Sequence, residues 1–325
     1  MDRRTFLGGS IVLLLSLPHG ASAQQTTKIP VVGVLNSGPV NPRSLEGARQ
    51  GLRELGYVEG QTIVLEVRYA SGRPEELPAA TRDLISRKVD MLMAIGPAAL
   101  KAAHDATRTI PIVAYDLETD PVHSGFARTL AQPAGNVTGL FLDLPGLTGK
   151  WLELLKEAAP RIRQVALLWD STTGDRQLSA ARAGAERLGL EVRVVEVRNA
   201  DDLDRVLASS VKTGTWGGVA QMSSPLFELR TKQIVDFTLK QRLPAISIST
   251  RFTEAGGLMA YGPTRPEFGR RLAVYIDKIL KGANPGELPI EQPSKFELVV
   301  NLKAARTVGL TLPPSLLARA DKVIQ

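Results

Sequence analysis

From Lys28 onward, short β-branched runs alternate with longer stretches of helical period, the pattern of βα units that feed parallel sheets. Val31-Val32-Gly33-Val34-Leu35 is a continuous apolar run, as a strand buried on both faces requires. Leu45, Ala48, Leu52 and Leu55 then recur on one helical face, and Gly56 stops the helix. Ile63 to Tyr69 predicts a second strand. Pro74 with Glu75-Glu76 opens a helix that ends near Lys88, because proline suits a first helical turn and acids favour its positive end. Met91 to Ile95, a helix after Pro97, and the strand Ile112 to Tyr115 complete one Rossmann-like lobe.

The pattern then begins again. Trp151-Leu152-Glu153-Leu154-Leu155 opens a helix, Val165 to Trp169 is a strand, and the helix from Leu178 to Leu188 ends at Gly189. Strands at Glu191 to Val197, Gly218 to Met222 and Ala245 to Ile248 alternate with helices at Asp201 to Ala208 and Leu226 to Gln241. Three further strand-like runs, 136–143, 257–262 and 296–301, have no neighbouring helix that completes a βα unit. They read as hinge crossings. Leu272, Tyr275, Ile276, Ile279 and Leu280 form the apolar stripe of a long helix between the second and third of them. The fold class expected is therefore α/β, with two Rossmann-like lobes, parallel sheets and three hinge crossings. Residues 28–143 with about 263–288 form the first lobe, and 144–262 with about 289–325 the second. No Gly/Ser- or Pro-rich linker separates two independent domains.

Composition adds mostly exclusions. The 325 residues are 43% hydrophobic and 22% charged, ordinary globular usage, and hold no cysteine, which removes disulfides, thiolate metal sites, thiol catalysis and a lipid anchor on cysteine. The net charge of +7 is scattered rather than gathered in a stripe, so no nucleic-acid partner is indicated. Residues 1–23 have the layout of a removable export signal: Asp2, Arg3 and Arg4, an apolar stretch from Ile11 to Leu17, and Ala21-Ser22-Ala23 before Gln24. Arg3-Arg4-Thr5-Phe6-Leu7 is similar to the twin-arginine signature. Since no later stretch approaches the roughly 18 apolar residues that cross a bilayer, an unanchored protein of the periplasm is expected.

The usual catalytic signatures are missing. There is no G-x-G-x-x-G after the first strand, no phosphate-binding G-x-x-x-x-G-K-[ST], and no G-x-S-x-G elbow. His104 and His123 are isolated, with no spacing that suggests a metal or a triad, so neither metal nor cofactor is expected. What remains gathers at the carboxyl ends of strands, where open α/β sheets bind ligands. In the first lobe these loops are Asn36-Ser37-Gly38-Pro39-Val40-Asn41-Pro42, Gly96-Pro97-Ala98 and Asp116-Leu117-Glu118-Thr119-Asp120-Pro121. In the second they are Asp170-Ser171-Thr172-Thr173, Ser223-Ser224-Pro225 and Ser249-Thr250-Arg251. Small hydroxyls, glycines and prolines at helix starts leave backbone N–H groups and positive helix ends facing a cleft. The same residues also serve as ordinary helix caps. Asp116, Glu118 and Asp120 fit either a solvated turn or a carboxylate that receives a ligand amine or hydroxyl. Tyr261 fits either a ring stacked on a ligand or a hinge filler.

Four segments resemble a known family: Gly51-Leu52-Arg53-Glu54-Leu55-Gly56-Tyr57-Val58-Glu59-Gly60, Pro133-Ala134-Gly135-Asn136-Val137-Thr138-Gly139, Gly256-Gly257-Leu258-Met259-Ala260-Tyr261-Gly262, and the tail Leu310-Thr311-Leu312-Pro313-Pro314-Ser315-Leu316-Leu317-Ala318-Arg319-Ala320-Asp321. They resemble the substrate-binding proteins of ATP-binding-cassette importers, in the branch similar to tryptophan/tyrosine-type binding proteins. The resemblance runs over essentially the whole chain after residue 23. It implies the type I periplasmic-binding-protein fold, a monomer that closes on a small-molecule ligand, delivery to the membrane permease of an ABC transporter, and no catalysis. It also implies that Ser37, Gly96, Ala98 and Asp116 hold the polar end of the ligand. With the other cleft-facing positions, the candidate set is Ser37, Gly96, Pro97, Ala98, Asp116, Asp170, Ser223, Ser224, Ser249 and Tyr261. Amino-acid binders of that family tend to carry Asp or Asn where this chain has Met222-Ser223-Ser224. An amino acid, an aromatic or other small organic acid, and a neutral polar metabolite therefore all stay open as ligands. The same fold also serves ligand-sensing proteins that report to a signalling receptor.

Overall fold

A computed structural model describes residues 28–38, 45–71, 73–142, 144–213 and 216–325. The export signal expected at residues 1–23 and the loop residues Pro39, Val40, Asn41 and Pro42 lie outside the described residues.

The first sheet has five parallel strands. β1 (Val31–Asn36) lies between β2 (Val64–Tyr69) and β3 (Met91–Ile95), followed by β4 (Ile112–Asp116) and β5 (Val137–Phe141) in the order β2-β1-β3-β4-β5. Its near-continuous apolar strands are explained by burial on both faces. Val32, Val34, Met91, Met93 and Val113 point to one core, while Leu35, Leu92, Ala94, Ile112 and Ala114 point to the opposite one. α1 (Glu46–Glu54), α2 (Leu77–Ser86) and α3 (Pro97–Ala106) supply the covering apolar faces.

The second sheet has seven strands, in the order β12-β11-β10-β9-β8-β6-β7. β6 (Gln164–Asp170), β7 (Glu191–Val197), β8 (Val219–Gln221) and β9 (Ala245–Ser247) repeat the parallel arrangement, with α4 (Leu144–Ala158), α5 (Arg176–Arg187) and α6 (Ala200–Thr213) among the helices between them. Val165 and Leu167 face one core, and Ala166 and Leu168 the other. β10 (Met259–Pro263) and β11 (Phe296–Asn301) form an antiparallel pair, with Ala260 opposite Val299, and β12 (Lys322–Ile324) is added at the edge after α11 (Leu302–Thr307) and α12 (Pro314–Ala318).

Three features differ from the sequence reading. The runs 136–143, 257–262 and 296–301 are not themselves crossings. Each contains a strand of one sheet, β5 in the first and β10 and β11 in the second, and the chain changes sheets in the short links beside them. β5 and β10 lack a helical partner in sequence because the next helix, α4 or α10, packs on the other sheet, whereas β11 is followed by α11, whose Ala304 and Ala305 join the core of its own sheet. Trp151 does not open a helix but sits fully buried in the middle of α4, its indole Nε1 donating to the Tyr261 carbonyl at 2.7 Å. Leu226 to Gln241 is two helices, α7 (Pro225–Leu229) and α8 (Thr231–Lys240), broken at Arg230.

The return of the chain to the first sheet is fixed by α10 (Arg265–Leu280), whose Phe268, Leu272 and Ile276 join the core beneath Val32 and Val34. Small residues let α10 and α1 approach closely. A Cβ on Gly269 would lie 2.4 Å from the Gly47 backbone, and one on Gly51 2.7 Å from the Ala273 methyl. Arg271 of α10 is paired with Glu291, and Glu291 in turn bridges to Leu140 of β5, so the chain stays on the first sheet through residue 291 before crossing to β11.

Replacing Gly269 with alanine pits two effects against each other. Better helix propensity is worth about 1 kcal/mol. A methyl forced onto rigid backbone costs about 3 kcal/mol, because no side-chain rotation relieves it. Steric conflict wins, and Gly269→Ala should lower stability by about 2 kcal/mol, read as a fall of several degrees in Tm. An unchanged melting point would show that the α1–α10 contact is not close-packed.

Candidate functional site

The carboxyl ends of the two sheets face each other, and the loops leaving them enclose a cavity of about 120 Å³. Ile95, Tyr115, Leu117 and Ile248 give it apolar walls, while Glu118, Glu228 and Arg251 bring charge. Gly96, Ser223, Ser224 and Pro225 close the space between. That volume is near the ~150 Å³ of an apolar cavity known to admit benzene, so the space suits one small molecule.

Each wall follows from local sequence. Gly96 links β3 to α3 at φ +88°, a backbone conformation that side chains resist, and a Cβ there would lie 3.2 Å from the Ser37 side chain and 3.7 Å from Pro225. Ser37 Oγ accepts from the Ala99 N–H at 2.9 Å and satisfies the first turn of α3 across the loop. In the second lobe Ser224 caps α7, accepting from the Leu226 N–H at 3.0 Å, while its hydroxyl donates to Asp170 Oδ2 at 2.5 Å. Asp170 Oδ1 accepts from the Thr172 N–H at 2.9 Å and from the Thr172 hydroxyl at 2.6 Å. Gln177 of α5 holds the Ser223 backbone by accepting from its N–H at 2.9 Å and donating to its carbonyl at 3.4 Å. Serine, aspartate and glutamine are thus consumed in fixing loop geometry.

The acids after β4 behave differently. Asp116 is fully buried, and its Oδ1 accepts from the N–H groups of Glu118 at 2.9 Å and Thr119 at 3.0 Å. Its Oδ2 is buried without a hydrogen-bond partner. Glu118 crosses the cleft and accepts the Ser223 hydroxyl at 2.5 Å. Burial, reinforced by the charge of Asp116, pushes the Glu118 carboxyl up from 4.5 to about 8, and burial raises Asp116 as well. At the rim Asp120 pairs with Arg176 of α5 at 2.7 Å. The loops of the two sheets therefore already touch through both a hydrogen bond and an ion pair.

Of the residues singled out in the sequence, Gly96, Ser223 and Ser224 line this cavity. Ser37, Pro97, Ala98 and Asp170 line a wider, adjoining space of about 580 Å³ on the outer side of Pro225. Asp116 lies beneath the cavity and positions the Glu118 turn rather than forming a wall. Ser249 precedes α9 (Thr250–Glu254) and is buried, away from the lining. Tyr261 packs on the core of the second lobe and stacks on Phe296 at 5.9 Å, so it is a hinge-strand residue rather than a wall of the cavity. Glu228 and Arg251 were missing from the set. Both stand on short helices just beyond the loops, and the one signal available was a charged residue close behind a cap such as Ser224 or Ser249. Among the described residues no group of three His, Asp or Glu could hold a metal ion, and no helix is long and apolar enough to cross a membrane.

Residues 28–324 match the family described as ABC transporter substrate binding protein. Among individual proteins, the chain is similar to a tyrosine-binding protein of Clostridioides difficile (strain R20291), 23% identical over 269 residues that make up 79% of this chain and 75% of the relative. The crystal structure of an ABC domain from Streptococcus pneumoniae in complex with L-Trp is 25% identical, covers 91% of this chain and 99% of its own, and superposes with a TM-score of 0.83. A ligand-free, open substrate-binding protein with adhesive properties from Clostridium difficile is 22% identical, covers 91% and 100% of the two chains, and gives a TM-score of 0.64.

Glu118 makes the contact between the lobes pH-dependent, with a definite sign. Its raised value means that the closed cleft keeps a proton that the opened or unfolded chain gives up, so its stabilising contribution is full below 4.5 and is lost as pH rises through about 8. The ligand-free protein should therefore expand as pH is raised from about 5 to about 9, read as an increasing radius of gyration in X-ray scattering. Glu118→Gln, which has no proton to lose, should stay compact over the same range. An equal expansion in both proteins would assign the opening to other groups.

Proposed function

This chain belongs to the ABC transporter substrate binding protein family, and from that premise we propose that it is the extracytoplasmic receptor of an ABC importer, closing its two lobes on one small organic ligand and delivering it to a membrane permease. The observation that carries this reading is the half-open cavity between the carboxyl ends of two sheets, with walls contributed by both. A ligand seated there touches Tyr115 and Leu117 of one lobe together with Ile248 and Ser223 of the other. Its binding energy is realised only when the lobes meet, which is the differential affinity that shifts a hinge toward closure. The three links between the sheets, beside β5, β10 and β11, are the hinge.

The cavity is built for holding rather than turnover. Among the described residues no histidine stands beside Asp116 or Glu118 to complete a triad with Ser223, whose hydroxyl is held in a bond across the cleft, and Ser224 is engaged in capping α7. Export through the signal at residues 1–23, by way of its Arg3-Arg4 pair, would place the protein in the periplasm as an unanchored monomer. Amino acids stand first among the ligand classes to test, because the similar proteins from Clostridioides difficile and Streptococcus pneumoniae are a tyrosine-binding protein and a complex with L-Trp.

A thermal-shift screen of amino acids, amines, small organic acids and polyols tests the reading. A bound ligand at a hundred times its Kd adds about 2.7 kcal/mol of stability and should raise Tm by several degrees. The ligand should be recovered unchanged after denaturation. Chemical consumption of a candidate with no thermal shift in any class would overturn the receptor assignment.

A further inference from the structure

Another cavity, of about 290 Å³, lies beside the hinge and shares no residue with the cleft. The first lobe forms one side of it, through Leu140 of β5, Phe268 and Arg271 of α10, and Glu291. Two of the three links between the sheets form the other. Thr264 leaves β10 and Lys295 leads into β11, and the Thr264 N–H donates to the Lys295 carbonyl at 3.3 Å, so these links run side by side as one ribbon. The cavity thus occupies the angle between that ribbon and the first lobe, and bending of the ribbon against the lobe must change its shape. Its inner wall also reaches toward the cleft. The Phe268 ring packs on the ring of Tyr115 with centroids 5.1 Å apart, and Tyr115 faces the space between the lobes. These two rings stand between the two cavities.

The lining has a definite chemistry. Arg271 and Lys295 bring two positive charges against the one negative charge of Glu291. Arg271 donates to both carboxylate oxygens of Glu291 and lies over the Tyr275 ring at 5.8 Å, so its guanidinium is fixed in the wall. The balance is one positive charge, beside apolar surface from Leu140, Phe268 and Pro293. The volume is about twice the ~150 Å³ of an apolar cavity that admits benzene, which leaves room for a compact body and a polar head.

Resting on the receptor reading, we infer that this cavity is an effector site for a small monocarboxylate with an apolar body, bound at the hinge while a different molecule occupies the cleft. The carboxylate meets Lys295 and the outer edge of the Arg271 guanidinium, and the body lies on Leu140 and Phe268. The cavity has this shape in the compact form, where Glu118 touches Ser223 and Asp120 touches Arg176 across the cleft. An occupant fitted to it therefore has more affinity for that form than for one in which the ribbon has bent, and this difference shifts the hinge toward closure. The coupling runs both ways, so a molecule that closes the cleft also prepares the hinge cavity.

Calorimetry and X-ray scattering test the site with benzoate, hydrocinnamate and hexanoate, each set against its neutral amide. The acid that fits should bind one molecule per chain, and its amide about fivefold more weakly, the worth of a charge contact at an exposed rim. Lys295→Gln should weaken the acid by about the same factor. Ser294→Trp, which puts a ring into the mouth of the cavity, should abolish binding, with thermal melts reporting intact folds for both variants. Arg251→Gln removes a cation from the cleft instead and should leave the acid's affinity unchanged. The radius of gyration should hold or fall when the acid is added. An acid that loses affinity on Arg251→Gln and keeps it on Lys295→Gln sits in the cleft, which would overturn this inference and leave the receptor reading standing. A radius of gyration that rises with the acid, or no binding by any of the three, would do the same. The receptor reading fails separately, through consumption of a candidate in the thermal-shift screen, and that outcome would remove the effector role even where the acid still binds at Lys295.

Discussion

A carboxylate taken out of water must be neutralised, by a proton or by a cation, and in this protein that requirement falls where the loops of the two sheets meet. Asp116 ends β4 and lies buried beneath the cavity, and Glu118 begins the loop that reaches across the cleft to Ser223. The remaining geometry serves that contact: Gly96 turns the chain at φ +88° beside Ser37, Gln177 fixes Ser223 opposite Glu118, and Ser224 and Asp170 lock the loop behind it.

The chain path explains why such a contact can also come apart. Neither lobe is a continuous stretch of sequence. α10 returns to the first sheet and is held there by glycine-mediated packing on α1, and Arg271 ties it to Glu291 just before the last crossing. Both cores are extensive and separate, so the links beside β5, β10 and β11 can bend without disturbing either interior. Closure is then governed by the small polar contacts at the cleft, Glu118 with Ser223 and Asp120 with Arg176, and by whatever occupies the space between them.

Much of the fold is legible in the sequence because its strands are buried on both faces. Runs such as Val31 to Leu35 and Met91 to Ile95 have no polar interruption, and the prolines and glycines that separate them from helices sit where the chain turns. The crossings are harder to place. β5 and β10 read as orphan strands because the helices that follow them pack on the other sheet, and β11 because it pairs antiparallel with β10 ahead of the short α11, facts that no local pattern carries. The split of α7 from α8 at Arg230 is likewise hidden, since the apolar period continues through it. At the site, the cap-forming residues are visible because Ser, Asp and Gly before a helix have a local reason to be there. Glu228 and Arg251 do not. Glu228, one turn into α7, looks like a solvated face until the opposite lobe is brought over it, and Arg251, although it ends the Ser249-Thr250-Arg251 segment, has no capping role that singles it out. Glu118 itself appears in the sequence only as one of three acids in a loop, and what sets it apart from Asp120, which pairs with Arg176 at the rim, is its bond to Ser223 across the cleft and the burial that raises its carboxyl.

The proton that the compact protein holds on Glu118 is open to direct observation. Carbon-13 NMR of the glutamate side-chain carboxyls, with Glu118 assigned through its Gln variant, gives its titration in the folded protein. A midpoint near 8 is expected for the compact protein without ligand. A ligand-free midpoint at the ordinary value of 4.5 would contradict it.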